Sequence, residues 1–413
     1  MAQKPKVALV NFKKESFIIV EGTQNPDRFF VIREGRVRIS KEAEIVKEEG
    51  SDILVPGDFF GVISTMSSHS HIETAQAITD VLLISIHKSQ FEGLVQHNTP
   101  IAMKIILYFS QRMRYLDKAL AQLTLKHSAE GEEGSALFNS GDYYDKQQQF
   151  TSAYYAYHQY IKYYPEGTHV QEAKDWIGKF ERYGQSTTFE FDKTQLRRIY
   201  TKDTILFAEG EPGDELFIIE NGSVKITKVA NNNEIILAVL KPGDIFGEMA
   251  LLESKPRSAN AIAYEDCTVM PINWENFQSM AKTQPQIIIR LTQLLAERLW
   301  VIYKQLANTC IIDPIGRMYD ALLTNLEKNK VPLEKFSEYT FNFGPKELAA
   351  MAGVPTEQSD TVVQQFLKET TCIRLAGDKI HTTSLEDIER QSALYKNLQR
   401  RQMALDQNKL AKR

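Results

Sequence analysis

The chain has 413 residues, enough for about two to four domains, each with its own core. Apolar residues make up 43% and charged residues 25%, which excludes a disordered, collagen-like or low-complexity chain. With 49 Lys and Arg against 53 Asp and Glu the net charge is −4, which excludes an overall basic nucleic-acid binder and leaves only a local basic patch open.

The three cysteines, Cys267, Cys310 and Cys372, are odd in number and far apart. That spacing supports neither a disulfide framework nor a cysteine-based zinc site, and a reducing, cytoplasmic setting fits it. No signal peptide or membrane span is legible. The most apolar helical stretch, 287–302, carries Arg290, Glu297 and Arg298.

In chain order, the first element is half of an internal repeat. Residues 17–39 read FIIVEGTQNPDRFFVIREGRVRI, and 205–226 read ILFAEGEPGDELFIIENGSVKI. Glu21-Gly22 matches Glu209-Gly210, Gly35 matches Gly222, and the run from Pro56 to Gly61 matches the run from Pro242 to Gly247. Alternating RVRIS and SVKIT predict half-buried strands, and the Gly and Pro-Gly-Asp punctuation predicts tight turns. Short strands at that spacing predict a β-barrel or jelly roll.

A helix follows each repeat, over 101–125 and 285–306, with apolar residues three and four apart. The stripes serve either packing on the helix's own domain or helix–helix pairing. The latter joins two chains as a homodimer or the two barrels within one chain. Between the repeats, 134–183 is rich in Tyr and Gln. Leu137, Gly141, Tyr144, Ala153, Tyr157 and Pro165 stand where a tetratricopeptide unit wants an apolar residue, Gly, Tyr, Ala, an aromatic and Pro. A third helix continues from Val170. One such unit cannot bury its own face, so it should pack on a neighbouring barrel, either as a plain linker or as a site for a protein partner.

The sharpest chemical signal is Phe246-Gly247-Glu248-Met249-Ala250-Leu251, continued by Pro256-Arg257-Ser258-Ala259. A sugar phosphate needs an acceptor for a ribose hydroxyl, a fixed cation, and free amides at a helix start. Glu248, Arg257 with Ser258, and the turn beginning at Glu248 offer these. In the first repeat the same loop places Val62 at the glutamate position and Glu73 at the arginine position. A carboxylate there repels a phosphate. His69 and His71 in that loop are too few to bind a metal and are expected in a solvated loop.

Past the second helix, 343–354 reads as a short helix and tight turn, and 356–368 as a second helix with Val362, Val363, Phe366 and Leu367 inward. Residues 373–382 alternate around Ala-Gly-Asp as a hairpin. From 341 to 390 there are five basic against eight acidic residues, a balance of −3 that opposes phosphate binding. The tail, 391–413, is basic and expected to be a solvated helix.

The loop around Glu248 and Arg257 resembles the phosphate-binding cassette of cyclic-nucleotide-binding domains. With the C-terminal unit, the chain resembles Crp/Fnr regulators. That resemblance implies an α+β fold: two β-barrel or jelly-roll cyclic-nucleotide-binding domains with flanking helices, a helical insert, and a winged helix-turn-helix-like C-terminal domain. The expected boundaries are 1–126 for a degenerate domain, 134–183 for the insert, 186–310 for a competent domain, 311–390 for the winged helix and 391–413 for the tail.

The resemblance implies a cAMP or cGMP ligand held by Gly247, Glu248, Met249, Ala250, Arg257 and Ser258. Tyr303 stands where the family's long helix meets the base. It also implies DNA contact through Thr356, Glu357, Gln358 and Thr361. Neither an enzyme nor a metal protein is expected. Two functions stay open: a nucleotide-responsive transcription regulator, or a nucleotide-sensing adaptor that binds protein and not DNA.

Overall fold

The computed structural model of the chain describes residues 8–41, 52–124, 134–182, 195–230, 233–334 and 337–410. Both repeats fold alike and share an irregularity. In the first, one antiparallel sheet runs Ala8–Phe12, Val81–His87, Arg28–Glu34, Phe59–Phe60, and the other Phe17–Ile19, Thr74–Ala77, Val37–Ser40, Ile53–Leu54. The second repeats both orders, with Arg198–Tyr200, Cys267–Asn273, Glu215–Asn221, Ile245–Phe246 and with Ile205–Phe207, Asn260–Ala263, Val224–Ala230, Asn233–Leu240. Phe30 lies opposite Phe60 as Phe217 lies opposite Phe246. Register shifts recur at Ile32/Glu34 and Ile219/Asn221. In each repeat both sheets feed one core: Ile32 and Leu83 meet Val37 and Ala75, and Ile219 and Val269 meet Val224 and Ala261. This is the two-sheet arrangement that the alternation predicts.

The chain forms two compact units that do not follow the order of the repeats. One comprises Phe91–Leu295; the other joins the first repeat, to Gln90, with Ala296 onward. In the Phe91–Leu295 unit, the long helix Thr99–Thr124 packs on the cassette helix Glu248–Glu253 of the second repeat. The insert folds as Ser135–Lys146, Phe150–Tyr163 and Val170–Arg182. Leu137, Tyr144, Ala153 and Tyr157 are buried there, and Gly141 has the Tyr157 ring where a Cβ would stand, 2.6 Å away. The insert shares a single core with Ile205, Ala208 and Ile262 of the second repeat. The unit thus buries its open face on a neighbour, as a lone helical repeat must.

In the other unit, the helix Pro285–Thr309 contributes its second half to the first repeat, where the Trp300 indole donates to the Ser70 carbonyl at 3.2 Å. Past it, Pro314–Lys328 is capped by Asp313, whose carboxylate accepts the Ile315 amide at 2.8 Å. Proline at the first turn suits this start. Pro345–Met351 and Thr356–Glu369 follow, then the hairpin Ile373–Ala376 and Lys379–Thr382, and the helix Leu385–Leu410. Gly353 at φ 62° and Gly377 at φ 67° make the two tight turns. Val362 and Phe366 are buried with Leu348, Ala349 and Ile380, and Val363 and Leu367 pack against that core.

The tail is exposed at Leu394, Asn397, Leu398, Arg400 and Arg401, with an anchor near its start. It is continuous with the last helix of the winged unit, and Lys396 turns in onto buried Asp320 at 2.5 Å. Asp320 also accepts from Ser392 and from Asn308, at 3.0 Å each. One carboxylate thus ties both sides of the Asp313 connection to the last helix. The terminal residues Lys412 and Arg413 lie outside the described residues. Among the described residues no helix is long and apolar enough to cross a membrane.

Candidate functional site: the second cassette

The second cassette begins at Gly247, whose φ of 75° lets the chain leave the strand Ile245–Phe246 and enter the helix Glu248–Glu253 at once. Ser254 closes that helix, also left-handed, at φ 52°. Glu248, Met249 and Ala250 are buried. The Ser258 hydroxyl lies 3.5 Å from the Met249 sulfur. Arg257 is the centre of the site. Its Nη1 donates to the carbonyls of Glu215 and Gly247, each at 2.7 Å. Its guanidinium stacks 4.2 Å from the Phe207 ring centre.

Only 6% of Arg257 is exposed, yet its Nε has no hydrogen-bond partner among the described residues. Burial pulls the guanidinium below its ordinary range, and the nearby Glu211, Asp214 and Glu215 oppose that pull. A buried cation with an orphan donor is costly unless an anion completes it. Space for the fork comes from Gly213, where a Cβ would stand 2.3 Å from the guanidinium carbon.

Two further sets of contacts around this cassette have no local sequence signal. Glu253, with its side chain 1% exposed, accepts from Ser110 Oγ at 2.6 Å and Arg114 Nε at 2.9 Å. Arg114 also donates to the Pro256 carbonyl at 3.1 Å. The helix that follows the first repeat therefore braces the cassette of the second. The other set links the insert to the loop before Arg257. Tyr155 donates to Glu211 at 2.7 Å and Tyr164 to the Gly210 carbonyl at 2.8 Å. Burial raises the Glu211 carboxyl, while the Ala208 amide, the Tyr155 hydroxyl and the Arg257 charge pull it back.

The first cassette has the same backbone and the opposite chemistry. Gly61 at φ 77° starts the helix Val62–Ser67, and Ser68 at φ 57° ends it. Glu73 stands in the place of Arg257, and its carboxylate accepts the Gly61 amide at 2.9 Å. The protein's own carboxylate thus sits at this turn, where the second repeat offers a cation.

The loop is not solvated, contrary to the expectation for His69 and His71. His69 stacks on Trp300 at 4.1 Å, and its Nε2 lies 2.8 Å from a Glu297 carboxylate oxygen. His71 is buried as well, and burial lowers its pKa. The reason is tertiary: the second half of Pro285–Thr309 covers this loop. Among the described residues no group of three or more His, Cys, Asp or Glu could hold a metal.

Tyr303 belongs to this same unit. Its hydroxyl accepts from Lys41 Nζ of the first repeat at 3.1 Å, with the ammonium 4.2 Å from the ring centre. Gly247, Glu248, Met249, Ala250, Arg257 and Ser258 are together in the other unit. On the helix Thr356–Glu369, Gln358 and Thr361 are exposed; the side chains of Thr356 and Glu357 lie outside the described residues. Asp360, exposed between them, lies 3.8 Å from Lys346.

The model of the cyclic nucleotide-binding domain matches twice, at residues 9–98 and 197–284. The chain is 31% identical over 174 residues to a cyclic AMP receptor protein of Thermus thermophilus, covering 42% of this chain and 77% of that one. It is 34% identical over 183 residues to the cAMP-activated global transcriptional regulator CRP of Salmonella typhimurium, covering 44% of this chain and 86% of that one. Among solved structures it is similar to the catabolite activator protein of Thermus thermophilus, with 28% identity, 48% of this chain and 90% of that chain covered, and a TM-score of 0.28. The two domain matches coincide with the two folded repeats, and the second carries the arginine-centred cassette. The chain belongs to the cyclic-nucleotide-binding family of Crp/Fnr-like regulators, with the domain in tandem.

Proposed function

We propose that this protein is a regulator that binds one cyclic nucleotide, cAMP or cGMP, in the second cassette. The observation that carries the reading is Arg257: a buried guanidinium held by two carbonyls, with its Nε unpartnered among the described residues. A cyclic phosphate supplies the anion that completes it. Glu248 is the group for the ribose hydroxyl, and Ser258 adds a phosphate contact. The first cassette takes no ligand of this kind, because Glu73 already caps Gly61 there. Binding biases the helix Pro285–Thr309, and through Asn308 and Asp320 the helix-turn-helix unit, between two states.

The test is calorimetry with cAMP and cGMP on the wild type and on Arg257→Glu. Saturable binding by the wild type that is lost in the variant supports the reading. No binding by either, or equal binding by both, overturns it.

A second reading, a nucleotide-sensing adaptor, is favoured by the charge of the winged unit. Exposed Asp360 stands on the face that enters the DNA groove in the first reading, and no Lys or Arg precedes Lys368 on that helix. Retention on genomic DNA fragments decides between them. Ligand-dependent retention that falls steeply with salt supports a DNA-binding regulator, and absence of retention at low salt supports the adaptor.

A further inference from the structure

Two tyrosines of the insert close on one short loop of the second repeat, 208–211. The Tyr155 hydroxyl donates to Glu211 Oε2 at 2.7 Å, and the same oxygen accepts the Ala208 amide at 3.0 Å. The Tyr164 hydroxyl donates to the Gly210 carbonyl at 2.8 Å. The loop is in turn bonded to the backbone of Arg257. Arg257 donates its amide to the Glu211 carbonyl at 2.8 Å, and Gly210 donates to the Arg257 carbonyl at 2.9 Å. Glu211 is also the first among the carboxylates acting on the Arg257 guanidinium. Tyr155, Ala208 and Ile205 share a core, so the insert is fastened to this loop and is no free appendage.

Resting on the nucleotide reading above, we infer that the insert is part of the nucleotide site, with Tyr155 as a positioning residue that holds the Glu211 carboxylate off the Arg257 fork. Without the hydroxyl, that buried carboxylate keeps the Ala208 amide, and the foremost cation acting on it is the Arg257 guanidinium. A charge-assisted carboxylate–guanidinium pair there competes directly with the cyclic phosphate. The coupling is reciprocal: whatever displaces Tyr155 by engaging the insert weakens nucleotide binding, and nucleotide binding secures the insert by the same free energy. The insert is thereby a second input to the cassette, and any partner it binds acts on nucleotide affinity.

The experiment is calorimetry with cAMP and cGMP on the full chain as wild type, Tyr155→Phe, and Tyr155→Phe with Glu211→Gln. Tyr155→Phe is expected to weaken binding about tenfold or more, the scale of one charge-linked hydrogen bond. The double variant is expected to regain most of that loss, because a neutral amide does not neutralise the guanidinium. A merely structural role for Tyr155 predicts no rescue. Unchanged affinity in Tyr155→Phe, or a double variant no better than the single one, overturns the inference.

Hydrogen exchange on the wild type needs no variant to fold. Nucleotide is expected to slow amide exchange in Phe150–Tyr163, and unchanged exchange there with bound nucleotide overturns the coupling. Failure of the wild type to bind either nucleotide is a distinct outcome: it removes the nucleotide reading itself, and this inference with it.

Discussion

Replacing Gly213 by alanine tests whether the position of the Arg257 fork decides ligand affinity. Gly213 does not occupy the left-handed region, so alanine is allowed by the backbone. Its Cβ would lie 2.3 Å from both the Cζ and the Nε of Arg257 and 2.8 Å from Nη2. The guanidinium must then retreat by about 1.2–1.7 Å to reach ordinary contact. A retreat of that size breaks the geometry of the two 2.7 Å bonds to Glu215 and Gly247 and withdraws the fork from the phosphate. At the scale of one lost charge-assisted hydrogen bond, about 2–3 kcal/mol, the dissociation constant rises about 30- to 150-fold.

Calorimetry measures this directly, with the melting temperature as a check that the fold survives. Gly178→Ala is the control, since nothing lies within 4 Å of the added Cβ and the site is in a helix. Gly213→Ala binding within about threefold of the wild type would refute the argument, because the fork would then be shown to tolerate displacement at no cost.

The remaining predictions concern the first repeat and the cysteines. Calorimetric stoichiometry should be one nucleotide per chain, because Glu73 caps Gly61; two per chain contradicts that reading of the cassette. Burial lowers the pKa of His71, so the folded state keeps it neutral while the unfolded chain takes up a proton. The stability from this group is therefore full above about pH 6.5. It declines as the pH falls towards the folded value, by at most about 1.4 kcal/mol per pH unit. Melting temperatures at pH 7.5 and 5.5 should differ less in His71→Gln than in the wild type, and an equal difference excludes His71 as the source.

Burial pushes the Cys267 thiol up to about 11, and Asp266 adds to the shift. Cys267 should resist alkylation at pH 8 until the protein unfolds, since only the thiolate reacts. Fast labelling of the native chain would show the site to be open.

Much of the site was legible because its information is contiguous. Gly247, Glu248, Arg257 and Ser258 fall within one short stretch of turn, helix and loop, and the residue types that suit a phosphate are the ones that stretch displays. The reversed charge of the first cassette was legible for the same reason, as Glu73 appears in line where the second repeat has its arginine. The burial of His69 and His71 is not legible in the sequence, because nothing within their loop announces Trp300 or Glu297. Burial of a histidine depends on what arrives from elsewhere in the chain, here from a helix more than two hundred residues on. Tyr303 was named because the family resemblance puts it where the long helix meets the base, and such an alignment does not say which repeat that half of the helix packs against.

The sequence by itself determined the duplicated two-sheet domain, its turns, the helical insert and the polarity of each cassette. Strand alternation, left-handed glycines and a charged loop are local properties, set by backbone sterics and by side chains a few residues apart. Only the tertiary structure decided what braces the second cassette. Ser110 and Arg114 reach Glu253 across 143 and 139 residues, and Tyr155 reaches Glu211 across 56. Such pairings follow from how a buried carboxylate finds the nearest donor once the chain has folded, and that choice is made by packing rather than by any pattern along the chain.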